Sequence, residues 1–160
     1  MGVFMALALN VSTVASSQPP SQLSSQPSAS KRFDVADYRG RVVYLDFWAS
    51  WCLPCKKSFP FMNDLNAKYE ALGLSVVSVN TDYVLKDAEK FLQATPAEFK
   101  VIYDSKGELT ANYKVQAMPT SFLFDKQGTL IGSHLGFKVE DVAEITGQIE
   151  LLLAQKHGAE

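Results

Sequence analysis

The chain has 160 residues, 47% of them hydrophobic and 20% charged, and its 15 Lys+Arg against 17 Asp+Glu leave a net charge of -2. That balance describes one globular domain with a tail and lacks the basic field on which nucleic-acid binding depends, while no apolar run reaches the roughly 18–20 residues of a membrane helix. Two cysteines cannot make a disulfide-dense scaffold, and two histidines, His134 and His157, make a zinc site within one chain hard to assemble.

The chain divides near residue 31. No charged side chain precedes Lys31, and Val3–Leu9 is a short apolar run followed by small residues at Thr13 and Ala15. Residues 1–15 are therefore expected to be a signal peptide or leader, although the positive n-region of a secretory signal is missing; the alternative is an apolar leader that stays on as a tether. Residues 16–31 are dominated by Ser, Gln and Pro, too little apolar surface to offset ordering entropy, and read as a flexible linker. Residues 32–157 are left for one folded domain, a size that supports a single core.

Within that domain, Arg41–Ala49 is a nearly continuous β-branched and aromatic run, which predicts a strand buried on both faces, as in a parallel sheet. From Cys55 the apolar positions fall at 59, 62, 65, 69 and 72, steps of three and four that predict a helix stopped by Gly73. Leu74–Val79 reads as a second buried strand, Lys86–Ala94 as a helix, Val101–Tyr103 as a short strand and Leu109–Tyr113 as a helical turn or two. Thr120–Phe124 and Thr129–Leu135 read as strands joined by a hairpin turn at Asp125-Lys126-Gln127-Gly128. Val142, Ile145, Ile149 and Leu152 mark the inner face of a last helix, with Glu140 and Asp141 suited to its positive end and Lys156 to its negative one. A β-α-β start followed by an antiparallel hairpin and a helix implies an α/β fold: a mixed sheet with helices on both faces and a right-handed parallel crossover.

The chemistry is expected at Trp51-Cys52-Leu53-Pro54-Cys55. The two cysteines are three apart, at the junction of a buried strand and a helix start. A helix N-terminus presents unpaired N–H groups and the positive end of the dipole, so it stabilises a thiolate on Cys52. Pro54 fits the first helical turn, where a missing N–H costs nothing. Cys55, one residue further in, should be more covered and less acidic. Cys52 is thus the expected attacking sulfur and Cys55 the resolving one. Half a zinc site needs two further ligands, and no second cysteine pair exists; two inert core cysteines are the other bland reading.

The segment Asp46-Phe47-Trp48-Ala49-Ser50-Trp51-Cys52-Leu53-Pro54-Cys55-Lys56, with Pro60 in the following helix and Met118-Pro119-Thr120 before the late strand, resembles the thioredoxin superfamily. About 40 residues separate Val79 from Pro119, and together with Tyr103–Glu108 and Phe124–Gly128 this spacing is similar to the TlpA/ResA group of thiol-disulfide oxidoreductases. The resemblance implies a thioredoxin-like fold with a central mixed sheet and an extra helix-strand insertion between the third strand and a cis-proline at Pro119. It implies reduction of protein disulfides, in an exported, periplasmic or extracytoplasmic setting that includes cytochrome c maturation. No cofactor beyond a Cys52–Cys55 redox disulfide and no metal are expected. An upstream dithiol donor, a monomeric state and no nucleic-acid partner complete the expectation.

Asp46 is the candidate base for Cys55. A carboxylate in a strand buried on both faces should have a raised pKa, useful for proton transfer; the bland alternative is a solvated or hydrogen-bonded strand residue. The chain departs here from many TlpA-like members, which carry Asn at this place and an acid in the insertion. Asp82 is the nearest insertion acid, and a turn or capping role suits it as well. Trp51, Leu53, Pro54, Met118 and Pro119 are the expected substrate-binding residues; Trp48 is expected in the core, and Lys56 and Lys57 on a solvated face. A disulfide oxidase or isomerase with the same site, or a non-catalytic thioredoxin-like binding module, are the competing functions. Leu53-Pro54 is closer to the reducing members of the superfamily than the Pro-His of strong oxidants.

Overall fold

The computed structural model describes residues 1–2 and 33–155. The expected leader at 1–15, apart from Met1 and Gly2, the linker at 16–31 and the chain end at Lys156 and His157 lie outside the described residues. In chain order the elements are β1 (Val42–Trp48), α1 (Leu53–Tyr69), β2 (Leu74–Asn80), α2 (Leu85–Ala94), β3 (Lys100–Tyr103), α3 (Glu108–Asn112), β4 (Thr120–Phe124), β5 (Leu130–Leu135) and α4 (Val142–Ala154). Short 3-10 turns occupy Val35–Tyr38, Glu70–Leu72 and Val139–Asp141. Every element expected from the sequence is present, and most ends shift by one or two residues. The larger difference is the start of α1, which lies at Leu53 because Cys52 itself serves as the N-cap; apolar periodicity alone registers only the first covered position, Cys55.

The sheet runs β3-β2-β1-β4-β5. β1 pairs in parallel with β2, and β2 with β3, whereas β4 runs antiparallel to β1 and to β5. The chain steps from β1 to β2 to β3 in one direction across the sheet. Two crossovers of the same hand therefore place α1 and α2 on the same face. That face carries Val42, Tyr44, Trp48, Leu74, Val76 and Leu123 from the strands, packed with Phe59, Met62 and Leu65 of α1, Ala88 of α2 and Ile145 and Ile149 of α4. The opposite face carries Val43, Leu45, Phe47, Val77, Val79, Phe122 and Phe124, covered by Phe33, Leu109 and Tyr113. Side chains alternate across a strand, so all seven residues of β1 are buried because each face has its own layer of helix or turn above it.

The insertion is α2 with β3. It follows β2, the second strand of the described residues, and α3 leads from it toward the proline. Gly73 ends the α1 segment at φ 107°, a left-handed conformation that a Cβ would strain. The hairpin turn between β4 and β5 closes through Asp125, whose Oδ1 accepts from the N–H groups of Gln127 and Thr129 at 2.9 and 2.7 Å, with Gly128 at φ 77°. No helix among the described residues is long and apolar enough to cross a membrane.

Candidate active site

β1, the central strand, ends at Trp48, and a short loop, Ala49-Ser50-Trp51, carries the chain to Cys52. Cys52 has extended backbone geometry and caps α1 with its own sulfur, which accepts the Cys55 N–H at 3.1 Å. The helix end thus directs one of its orphan donors at Cys52 Sγ, an arrangement that favours negative charge there. Pro54 lies in the first turn, where no N–H is missed. Cys52 and Cys55 are joined as a disulfide. Cys55 is completely buried and Cys52 nearly so, whereas Trp51 and Leu53 on either side are 72% and 77% exposed. The dithiol is therefore reached across a rim of two large apolar side chains.

Asp46 is buried on the same sheet face as Tyr44 and Trp48, which pack into the cluster containing Cys52 and Cys55. Its neighbours in register are Ser78 on β2 and Ser121 on β4. Oδ2 has no hydrogen-bond partner, so burial pushes the carboxyl well above the usual carboxylate range. The same burial, with the Asp46 charge beside it, raises the Tyr44 phenol far above its ordinary value.

The Met118–Pro119 peptide bond is cis. Thr81 ties this bond to the end of β1: its N–H and hydroxyl donate to Trp48 O at 2.9 and 3.2 Å, and its hydroxyl also lies 3.1 Å from Met118 Sδ. Met118 packs against the cysteine-containing cluster, and Pro119 is buried at the start of β4. A second tie comes from Asp82, whose Oδ2 accepts from Ser50 N–H at 2.9 Å and Asn80 Nδ2 at 2.7 Å, and whose Oδ1 accepts from the Ser50 hydroxyl at 3.0 Å. The first residues of the insertion therefore hold the loop that presents Cys52.

The Redoxin family model matches residues 13–149. The chain belongs to the Redoxin family. Within the thioredoxin superfamily this redoxin is ResA/TlpA-like. It is 34% identical over 114 residues to the thiol-disulfide oxidoreductase ResA of Bacillus thuringiensis subsp. konkukian (strain 97-27), covering 71% of this chain and 66% of the relative. The redoxin thus spans just under two thirds of that relative's length. It is 50% identical, with a TM-score of 0.73, to the solved structure of a Chlorobium tepidum protein assigned as a thiol:disulfide interchange protein DsbE, covering 75% of this chain and 85% of that one. The exposed lipoprotein thioredoxin Etrx1 of Streptococcus pneumoniae strain TIGR4 is 29% identical with a TM-score of 0.65, covering 76% and 93%.

The structure of this redoxin brings together Cys52, Cys55, Trp51, Leu53 and Pro54 at the head of α1 and sets Asp46 on the sheet face beneath. Asp82 lies beside Ser50, where sequence reasoning allowed either an acid of the site or a turn. Ser50, Asn80, Thr81, Ser78 and Ser121 were not singled out from the sequence. Ser78 and Ser121 did leave a signal: each is a hydroxyl interrupting an otherwise apolar buried strand. Among the described residues no group of three or more His, Cys, Asp or Glu side chains could hold a metal ion.

Proposed function

We propose that this protein is a thiol-disulfide oxidoreductase that reduces disulfides in exported proteins through Cys52 and Cys55. The observation that carries the reading is the capping of α1 by Cys52 Sγ, with the Cys55 N–H aimed at that sulfur. In the reduced protein the Cys52 thiolate attacks a substrate disulfide; a Cys52–substrate bond forms and one substrate thiolate leaves. Asp46, as carboxylate, takes the proton of the Cys55 thiol. The resulting Cys55 thiolate attacks Cys52 Sγ, which restores the internal disulfide and releases the second substrate thiolate. An upstream dithiol donor then returns the pair to the reduced state.

Trp51 and Leu53 supply an apolar contact surface, with Pro54 shaping the turn between them. Pro119 presents the Met118 backbone to an extended substrate segment, and Thr81 holds that segment's docking edge in line with the cysteines. Asp82 acts as a positioning residue for the loop. An extracytoplasmic location is supported by the uncharged stretch before Lys31 and by a structural relative named as an exposed lipoprotein. Apocytochrome c is one substrate of the class implied by the ResA/TlpA likeness.

The reading is tested with the purified, pre-reduced protein and a disulfide-containing protein such as insulin. Cys52→Ser should abolish reduction, while Cys55→Ser should trap a mixed disulfide visible by mass. Reduction by Cys52→Ser at the parent rate overturns the mechanism. The direction is tested by equilibration with glutathione: a reductase should fall nearer the roughly -270 mV of thioredoxin, and an oxidase nearer the roughly -120 mV of a strong oxidant. A value at the oxidising end overturns the reductase reading in favour of the oxidase.

A further inference from the structure

Tyr83, Val84 and Leu85 lie where the chain passes from the end of β2 into α2, and they are 87%, 49% and 47% exposed. A run of large apolar residues left in water is a liability unless something uses it. The core accounts for part of Val84 and Leu85. They stand four and three residues before the buried Ala88, and Phe91 and Leu92 follow it at the same spacing, against the cluster that holds the cysteines. Tyr83 precedes the helix and has no share in that stripe. The helix start is costly in a second way. Val84 is the N-cap of α2 and makes no side-chain hydrogen bond there, at a position where Ser, Thr, Asp or Asn is preferred. The segment is therefore poor both as a water-facing surface and as a cap.

Its place in the fold supplies a reason. Asp82, directly before Tyr83, accepts from the Ser50 N–H at 2.9 Å and from the Ser50 hydroxyl at 3.0 Å, and Ser50 directly precedes Trp51. Each exposed aromatic residue is thus one peptide unit, about 3.8 Å between Cα atoms, from the same buried tie. Thr81 fixes the start of the segment to Trp48 O and lies 3.1 Å from Met118 Sδ, next to the cis-proline. The segment therefore borders the rim of Trp51 and Leu53 across one hydrogen-bonded seam. Neither Ser50–Pro54 nor Tyr83–Leu85 contains a charged residue. We propose that Tyr83, Val84 and Leu85 form a second wall of the substrate-binding surface, one that selects a polypeptide whose disulfide is flanked by large apolar side chains. This rests on the reading of Trp51 and Leu53 as substrate contacts.

In a folded protein such side chains are mostly in the core, so the partner recognised is a chain that has not finished folding. Tyr and Trp offer large contact area on few rotatable bonds, so covering them orders little. The uncharged wall also discriminates against a charged flank, which would lose hydration without gaining a partner. Tyr83, Val84 and Leu85 are specificity-determining residues: they hold the flanks of the substrate while its disulfide meets Cys52, and they take no part in the sulfur exchange. Their effect belongs in KM more than in kcat.

The test uses the full, pre-reduced chain and two synthetic disulfide peptides that differ only in their flanks: Phe and Leu on both sides of the disulfide loop in one, Ser in the other. The parent should reduce the Phe/Leu peptide with a kcat/KM about tenfold above that of the Ser peptide. Tyr83→Ser and Val84→Ser should each lower that ratio, mainly through KM. Val84→Ser carries a second sign, because serine is the better N-cap: its urea midpoint should stand at or above the parent's while its peptide preference falls. A purely structural Val84 would move both in the same direction. A ratio retained in both variants, or a parent without preference, overturns the proposal. A parent that sediments as a dimer and becomes monomeric in Tyr83→Ser assigns the wall to a second copy and overturns it as well. A parent that reduces neither peptide removes the oxidoreductase reading and the wall with it, whereas an unchanged ratio removes only the wall.

Discussion

Replacing Asp46 by Asn removes one ionisable group of nearly unchanged shape, and the structure fixes the sign of its effect on stability. The folded-state pKa of Asp46 is raised by burial, while the unfolded value is about 4. Between those two values the folded state holds a proton that the unfolded state has lost. Stability therefore falls as pH rises through that window, by up to about 1.4 kcal/mol per pH unit for one proton. Below about pH 4 the carboxyl is neutral in both states and its burial carries no charge penalty. The Asn variant has no such slope, so the difference in unfolding free energy, variant minus parent, should grow with pH by the same amount. In the oxidised protein Cys52 and Cys55 are disulfide-bonded and add no titration of their own. Other carboxylates titrate alike in both proteins and cancel. The assay is urea denaturation of the two oxidised proteins at pH 5, 6 and 7, with the midpoint converted through a common m-value. The amide brings its own buried donor to a place where the carboxyl oxygen has no partner; this offset does not change with pH and moves both ends of the comparison together. A difference that does not change across these three pH values, or that shrinks as pH rises, would refute the argument that Asp46 is held neutral by desolvation.

Two further outcomes follow from neighbouring contacts. Asp82→Ala removes the acceptor for Ser50 N–H, the Ser50 hydroxyl and Asn80 Nδ2 and should cost about 2–4 kcal/mol; Asp82→Asn, which keeps one acceptor oxygen, should cost less, and equal urea midpoints for parent and Ala variant would show that the loop does not depend on this tie. Trp48 is fully buried and donates to Ser78 Oγ at 3.1 Å, whereas Trp51 is 72% exposed, so Trp51→Phe should move the fluorescence maximum to the blue and Trp48→Phe to the red. Identical maxima in the two variants would contradict the placement of both indoles.

The order and type of the elements were legible because they rest on local pattern. β1 reads as an unbroken apolar run since both its faces are covered, and α1 reads through its three-and-four spacing since one stripe of it meets the sheet. The dithiol was legible for the same reason: Cys-Leu-Pro-Cys at a strand-to-helix junction places a sulfur on helix N–H groups whatever the rest of the chain does. Asp46 was legible as a buried acid because the run around it is buried on both sides. What local pattern could not carry was pairing across the sheet. Ser78, Ser121 and His134 are separated from Asp46 by 32, 75 and 88 positions in the chain, and only the register of β2, β4 and β5 sets them in one row.

The amino-acid sequence by itself marked the residues proposed to react, since both cysteines and the helix start lie within four consecutive positions. Only the tertiary structure decided what surrounds them: that Asp82 grips the Ser50 loop rather than standing free, that Thr81 links Met118 to the end of β1, and that a carboxyl, a hydroxyl and an imidazole share one face. Those arrangements depend on strand order and register, which arise from the packing of two hydrophobic layers against a single sheet, and packing partners distant in the chain leave no mark on local periodicity.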